Sequence, residues 1–338
     1  MLRGMAGADK LVIGASGFLG SHVTRQLVER GDSVRVMLRT TSSTRAIDDL
    51  PVQRYYGDIF DDDALRSAMA GCDVVYYCVV DTRAYLRDPA PLYRTNVEGL
   101  RRVLDAALAA DLHRFVFTSS IGTIGLGAGG TVDEDTPFDW ASEGGAYIRS
   151  RVQAEDLVLS YARHKGLPAV ALCVSNTYGP SDWQPTPHGA LVAAAAFGKL
   201  GFYMAGMATE VVGVQDAAGA LLLAGERGRV GERYIISERF LPYRELYDTA
   251  AQAAGVPGPR WGIPKPVMRV AGLIGGAAAV ITGRDLQLTP TSVRLMDIMR
   301  PMDHSKAVRE LGWQPRDVHE SIRAAAEFFL QRRRERAR

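Results

Sequence analysis

The chain has 338 residues, 47% of them hydrophobic and 23% charged, an ordinary composition for a soluble globular protein able to bury a large core. Its net charge of +2 gives no reason to expect nucleic acid or an acidic membrane as the main partner. The six histidines are scattered without metal-ligand spacing, so no metal is expected. Three cysteines, Cys72, Cys78 and Cys173, lie in or beside apolar runs, and the odd count predicts reduced thiols in a cytoplasmic protein. Met1–Asp9 lacks the apolar stretch of a secretory signal, and Val270–Thr282, at 13 residues, is too short to cross a bilayer.

In chain order, strands are predicted at Lys10–Gly14, Ser33–Leu38, Val52–Tyr56, Asp73–Val79, Arg114–Ser119 and Ala169–Val174. Helical patterns separate them at Phe18–Arg30, Thr44–Leu50, Asp61–Ala70, Leu92–Ala110 and Ala146–Lys165. Strands alternating with helices call for a parallel sheet covered on both faces and linked by right-handed crossovers, an α/β, Rossmann-type, doubly wound fold. After Gly179-Pro180 the regularity fails. A proline loop at Pro185 and Pro187 leads to an alanine-rich helix, Gly189–Lys199, then to a short strand, Glu210–Val214, and a helix, Gln215–Glu226. Two proline-bounded helices near 264–282 and 289–299 precede a terminal helix near Val318–Arg333. A nucleotide-binding domain over 9–180 is therefore expected, with strands near 210 and 234 returning to it, and a smaller, mostly helical substrate lobe over 181–333. The apolar face of 264–282 is expected to pack internally, and the basic run Gln331–Arg338 to be a solvated helix end.

The most informative stretch is Lys10–Gly20, an apolar strand followed by glycines at 14, 17 and 20 and then an amphipathic helix. Strand, glycine turn and helix together present backbone N–H groups and a helix N-terminus to a pyrophosphate. Gly14 allows the tight turn, Gly17 the close approach of phosphate, and Gly20 the packing of helix on sheet. The second strand ends at Leu38-Arg39-Thr40, where NAD sites usually place an acid on the ribose hydroxyls. Arg39 would instead pair with a 2′-phosphate, assisted by Ser42, Ser43 and Arg45, which favours NADP(H) over NAD(H). Asp58 follows the third strand, where a carboxylate can accept from the adenine amino group.

Gly14–Gly20, Gly57-Asp58, Asn96-Val97-Glu98-Gly99, Thr118-Ser119-Ser120 and Tyr147-x-x-x-Arg151 occur in an order that resembles the extended short-chain dehydrogenases/reductases. The chain is most similar to the group of dihydroflavonol reductase-like, 3β-hydroxysteroid dehydrogenase-like and hopanoid-associated sugar epimerase-like proteins. Arg87-Asp88-Pro89, Pro185–Gly189 and Gly228–Ile236 carry that narrower likeness. The resemblance implies a cofactor lined by Ser16, Phe18 and Leu19 at the turn, by Ile59, and by Cys78, Val79 and Val80 after the fourth strand. It also implies contacts from Thr118, Ser119, Tyr147, Arg151, Val174, Asn176 and Thr177, and a homodimer formed through Leu92–Ala110 and Ala146–Lys165.

The chemistry needs a proton donor to a carbonyl oxygen while hydride arrives. Tyr147 and Arg151, four residues apart, share one helix face, so the cation can favour the phenolate. Ser120 can stabilise the substrate oxygen, with Thr123 as an alternative hydroxyl. Asn96 resembles the family asparagine that supports a proton-relay water. Asp81, Tyr85, Trp183 and His188 are expected to wall the substrate pocket. Arg151 stands where the family has lysine; it keeps the charge but cannot release a proton. In Val212-Gly213-Val214-Gln215-Asp216 the family's His and first Asp are replaced, which suits an apolar ligand. The expected activity is reduction of a ketone or aldehyde, or oxidation of the secondary alcohol, on an apolar molecule such as a sterol or polyketide-like carbonyl. A sugar-nucleotide epimerase or dehydratase holding NAD, and a non-catalytic NADP-binding sensor, are the alternatives.

Overall fold

The computed structural model describes residues 9–336, so the Met1–Asp9 reading falls almost entirely outside the described residues. The first half of the chain forms β1 (Asp9–Ile13), α1 (Phe18–Glu29), β2 (Val34–Leu38), β3 (Gln53–Tyr56), α2 (Asp62–Met69) and β4 (Cys72–Tyr77). It continues through α3 (Ala90–Tyr93), α4 (Leu100–Ala109), β5 (Arg114–Ser120), α5 (Gly145–Lys165) and β6 (Ala169–Val174). The second half adds β7 (Asn176–Tyr178), α6 (Pro187–Ala196), β8 (Phe202–Ala205), β9 (Ala208–Gly213), α7 (Val214–Arg227), β10 (Arg233–Ile236) and β11 (Arg239–Pro242). Last come α8 (Tyr243–Ala253), β12 (Trp261–Pro264), α9 (Lys265–Thr282), α10 (Pro290–Asp297) and α11 (Val318–Arg336).

Seven strands make one parallel sheet in the order β10-β6-β5-β4-β1-β2-β3. The order reverses between β1 and β4, and such a switch point opens a crevice at the carboxyl ends of the strands. Alternation along each strand builds a core on either face. Val12, Val36, Val116 and Leu172 pack with α1 and α7 on one side. Leu11, Ile13, Val75, Phe115 and Phe117 pack with α2, α4 and α5 on the other. A third core, around Tyr178, Val192, Leu246, Tyr247 and Ile322, lies in the helical lobe.

Four expectations are corrected. Thr44–Leu50 is a run of turns closed by Ile47 N–H to Thr44 O and Leu50 N–H to Ile47 O, each spanning three residues. Seven residues stopped by Pro51 are too few to hold an isolated helix. The strand near 234 does join the main sheet, where β10 pairs with β6 and takes that edge. The strand near 210 cannot share that edge; β9 instead pairs with β7 and β11 in a separate three-stranded sheet. The predicted helix Leu92–Ala110 contains a π-helical segment at Arg94–Gly99 between α3 and α4, and Asn96 sits on it. Finally, α9 does not bury its apolar face: Val267, Val270, Leu273, Ile274, Val280 and Ile281 are all more than half exposed. It is also longer than the apolar run counted from the sequence, 18 residues, which meets the length and composition of a membrane-crossing helix.

Candidate active site

The glycine turn follows β1 at the switch point. Gly14 has φ +94°, and a Cβ there would stand 2.9 Å from the Cys78 carbonyl carbon, so β4 closes directly on the turn. A Cβ on Gly20 would collide with the Gly14 carbonyl, which is why the helix can begin so near the strand. Gly17 is the N-cap of α1, extended in backbone and without a side chain to cap it, and the first turn carries no acid. The leading N–H groups, of Phe18, Leu19 and Gly20, therefore have no acceptor within the helix and lie open to an anion beside Ser16. This cradle fits a dinucleotide pyrophosphate.

Around it, Arg39 is exposed at the end of β2, its carbonyl accepting from Ser42 N–H at 3.0 Å. Among the described residues its guanidinium joins no ion pair. The Arg45 guanidinium lies 4.1 Å from the Trp183 ring centroid. Asp58 accepts from Phe60 N–H at 3.1 Å, and Ile59 is buried beneath it. After β4, Thr118 Oγ1 donates to Cys78 Sγ at 3.4 Å, Val79 is half-buried and Val80 exposed.

The residues expected to react come from β5 and α5. The register of β5 on β6 places Ser120 beside Val174 at the carboxyl end of the sheet. Ser120 Oγ accepts from Gly122 N–H at 3.1 Å, so its own proton can be given to the Tyr147 oxygen or to a substrate oxygen. Gly122 matters because a Cβ would stand 2.6 Å from Ile148 Cδ1; without one, the start of α5 settles onto the turn after β5. That approach brings Tyr147 to Ser120. Burial pushes the Tyr147 hydroxyl above its ordinary value, the Arg151 charge and the bond with Ser120 pull it back, and Asp81 adds a smaller push upward. The net shift is upward, so the hydroxyl is protonated at neutral pH.

Arg151 is buried one turn further along. Its Nη2 donates to the Thr118 carbonyl at 2.6 Å, and its guanidinium carbon lies 5.2 Å from the Phe117 ring centroid. Its Nε is buried without a partner among the described residues. An orphaned donor beneath Tyr147 is costly unless another molecule accepts from it, and a nicotinamide ribose hydroxyl fits the requirement. The guanidinium is thus anchored on the strand through Nη2 while Nε is left to donate.

Asn96 clamps the site from below. Its Nδ2 donates to the Asp81 carbonyl and to Ser150 Oγ, both at 3.0 Å, and its Oδ1 accepts from Asp81 N–H at 2.8 Å. Ser150 Oγ in turn donates to the Tyr147 carbonyl at 2.7 Å. With both amide protons engaged, the side chain cannot donate to a relay water, and its place is that of a positioning residue for α5. Asp81 carries a bidentate ion pair with Arg83, at 2.9 and 2.5 Å, on the loop that also bears the half-buried Tyr85.

Other expected residues turn elsewhere. Ser119 faces the opposite side of β5 from its neighbours and donates to Glu155 Oε2 at 2.5 Å. Thr123 is drawn the same way by the short turn at Ile121–Thr123 and donates to Glu155 at 2.9 Å, so neither hydroxyl faces the reacting end. Trp183 meets the Phe328 ring edge-on at 4.9 Å and lies between Arg45 and Arg332, none of which belongs to the cluster around Tyr147. His188 meets Tyr178 edge-on, and burial lowers it to about 4, so it is neutral. Asn176 is tied by Nδ2 to Thr209 Oγ1 at 2.7 Å in the small sheet, beside the half-buried Thr177. A cleft of about 310 Å³ at Lys10, Arg30 and Glu226 lies at the opposite, amino ends of the strands, where such sheets do not hold ligands.

Glu155 is the residue that sequence reasoning missed. It is buried, accepts from Ser119, Thr123 and Cys173, and pairs with Arg233 Nη1 at 2.9 Å. The signal is present in the chain: 147, 151 and 155 follow a four-residue spacing on one helix face. Removing one partner of a buried ion pair leaves the other uncompensated, so Glu155→Gln is expected to cost about 3 kcal/mol in denaturant unfolding. A loss below about 1 kcal/mol would mean the pair is not needed to hold α5 on β5.

The model of the NAD dependent epimerase/dehydratase family matches residues 10–237. Sterol demethylase protein B of Methylococcus capsulatus is 29% identical over 325 residues, spanning 95% of this chain and 98% of that protein. A 4-hydroxy-2-methyl-3-oxo-4-farnesyl-3,4-dihydroquinoline-1-oxide ketoreductase of Stigmatella aurantiaca is 29% identical over 314 residues, spanning 91% and 92%. The solved structure of gox2253 shares 32% identity and a TM-score of 0.85, with 96% and 99% covered.

Proposed function

Since the chain belongs to the NAD dependent epimerase/dehydratase family and is an NAD(P)-dependent oxidoreductase of the extended short-chain dehydrogenase/reductase type, we propose that it uses NADP(H) to interconvert a ketone and a secondary alcohol on an apolar small molecule. The observation that carries this reading is the meeting of Ser120, Tyr147 and Arg151 at the carboxyl end of the sheet, beside an uncapped glycine cradle. The nicotinamide, bound there, supplies or accepts the hydride. Ser120 donates a hydrogen bond to the substrate oxygen, and Tyr147 delivers the proton that balances the hydride. Arg151 favours the phenolate left behind and offers Nε to the ribose. The apolar surroundings of Tyr147 support an apolar substrate: it packs with Leu126, Phe138, Leu295 and Met299 against the buried Trp140, Ile148 and Ile298. A sterol or polyketide-like carbonyl suits such surroundings, and the two relatives act, by their names, on a sterol and on a farnesylated ketone.

The first test is cofactor content and preference. Nucleotide released from denatured protein is identified, and stripped protein is titrated with NADPH and NADH. Arg39→Ala is expected to weaken NADPH about tenfold or more and to leave NADH within about twofold, as loss of one charge-assisted pair with a 2′-phosphate requires. Equal weakening of both would remove Arg39 from that role. A slowly released NAD at one per chain would favour the epimerase or dehydratase chemistry also found in this family.

A further inference from the structure

We propose that the outer face of α9, with Trp261 beside it, docks on an anionic lipid bilayer, the helix lying in the plane of the headgroup and acyl-chain boundary. At about 100° per residue, Val267, Val270, Leu273, Ile274, Val280 and Ile281 fall within an arc of about 140°, and Met268, Gly272 and Ala279, which are buried, lie opposite. The strip from Val267 to Ile281 is about 21 Å long, and the one charge in that span, Arg269, lies at its edge, paired with Asp297. A soluble monomer rarely leaves so long an apolar ridge in water. Trp261, 75% exposed on the strand that enters the helix, adds an amphipathic ring of the kind that settles at a membrane surface.

Charge identifies the occupant. Between residues 260 and 300 there are six cations, Arg260, Lys265, Arg269, Arg284, Arg294 and Arg300, and two carboxylates. The excess of four exceeds that of the whole chain, which is two. Lys265 and Arg269 share Asp297, at 2.5 and 3.4 Å, and Asp285 accepts from Arg87 N–H, so both carboxylates are already engaged. Cations thus flank the apolar strip at both ends, the arrangement that draws a helix to anionic headgroups and then buries its apolar face. A second copy of this chain fits less well, since a two-fold interface would set the same basic segment against itself.

The helix lies on the membrane and does not cross it. β12 pairs with β8 at its entry, and the return segment at Leu288–Pro290 lies against Gly275 and Gly276, where a Cβ on Gly276 would stand 2.9 Å from Pro290 Cδ. Both ends therefore stay on one side, and the inner face remains on protein. The return leads into α10, whose Thr291 meets Gly145 and whose Leu295 joins the cluster around Tyr147. If the apolar substrate proposed above holds, a bilayer-dissolved molecule has a short path to the site; the docking itself does not depend on that reading.

The test is co-sedimentation of the full chain with vesicles of phosphatidylcholine alone or with about a third phosphatidylglycerol, at low and high salt. The expected result is at least tenfold stronger partition onto the anionic vesicles, weakened by salt and reduced at least tenfold in Ile274→Glu/Ile281→Glu. Both side chains are exposed, so the variant should keep the circular dichroism and NADPH titration of the parent. Partition that survives the double substitution overturns the proposal and places the contact elsewhere on the surface. Absence of partition overturns it too, and a dimer that the double substitution dissolves would identify a second copy as the occupant.

Discussion

Tyr147→Phe is expected to lower kcat by about a thousandfold while leaving NADPH affinity within about twofold. The substitution removes a single oxygen. The ring remains to pack with Trp140, Ile148 and Leu295, so α5 keeps its seat. The effect is large because no neighbour can take over the proton. Ser120 presents a hydroxyl whose own acidity is far too weak, and Thr123 is turned to Glu155. His188 is neutral, with its pKa near 4, and packs on Tyr178. Burial raises the Asp81 carboxyl, but Arg83's hydrogen bonds more than reverse that, so it stays ionised at neutral pH. Single-turnover kinetics on an apolar ketone found by NADPH consumption, with fluorescence titration of the cofactor, would measure both quantities. Residual turnover above a tenth of the parent would remove Tyr147 as the donor, and joint loss of turnover and binding would mark it as a structural residue.

How much of such an assignment the amino-acid sequence carries depends on what kind of pattern encodes it. The glycine turn, Ser120, Tyr147 and Arg151 are legible because each is fixed by local spacing on one strand or helix. Asn96 is legible as a residue and not as a role. Its bonds to Asp81 and Ser150 join two segments 15 and 54 residues away, through a π-helical turn that no simple periodicity announces. Ser119 and Thr123 escape the sequence for a related reason. A triplet such as Thr118-Ser119-Ser120 reads as one motif, whereas a strand sends alternate side chains to opposite faces, and only the pairing with Glu155 shows which face is which. The α9 helix departs from expectation differently. Its apolar period is correct, but period alone does not say whether the partner of an apolar face lies within the chain.

Arg151→Met is the change that tests the least conventional part of the site. Methionine fills the buried space and removes the charge, the bond to the Thr118 carbonyl and the unpartnered Nε together. The Arg151 charge acts to lower the Tyr147 pKa, against a net upward shift dominated by burial. Taking the cation away therefore raises that pKa further. In the direction of alcohol oxidation, where Tyr147 must first be a phenolate, activity rises with pH through this pKa, so the rising limb moves to higher pH in the variant. In the direction of ketone reduction the hydroxyl stays protonated but becomes a weaker acid, and kcat falls. A loss of about a hundredfold, or about 2.7 kcal/mol, with cofactor binding weakened about tenfold, is expected from the charge and the ribose donor combined. Arg151→Lys separates the two contributions. It restores a cation near Tyr147 and should return the limb toward its original pH, without the guanidinium that reaches the Thr118 carbonyl. Variant and parent profiles that superpose would uncouple Arg151 from the phenol, leaving it to brace Thr118 against Phe117.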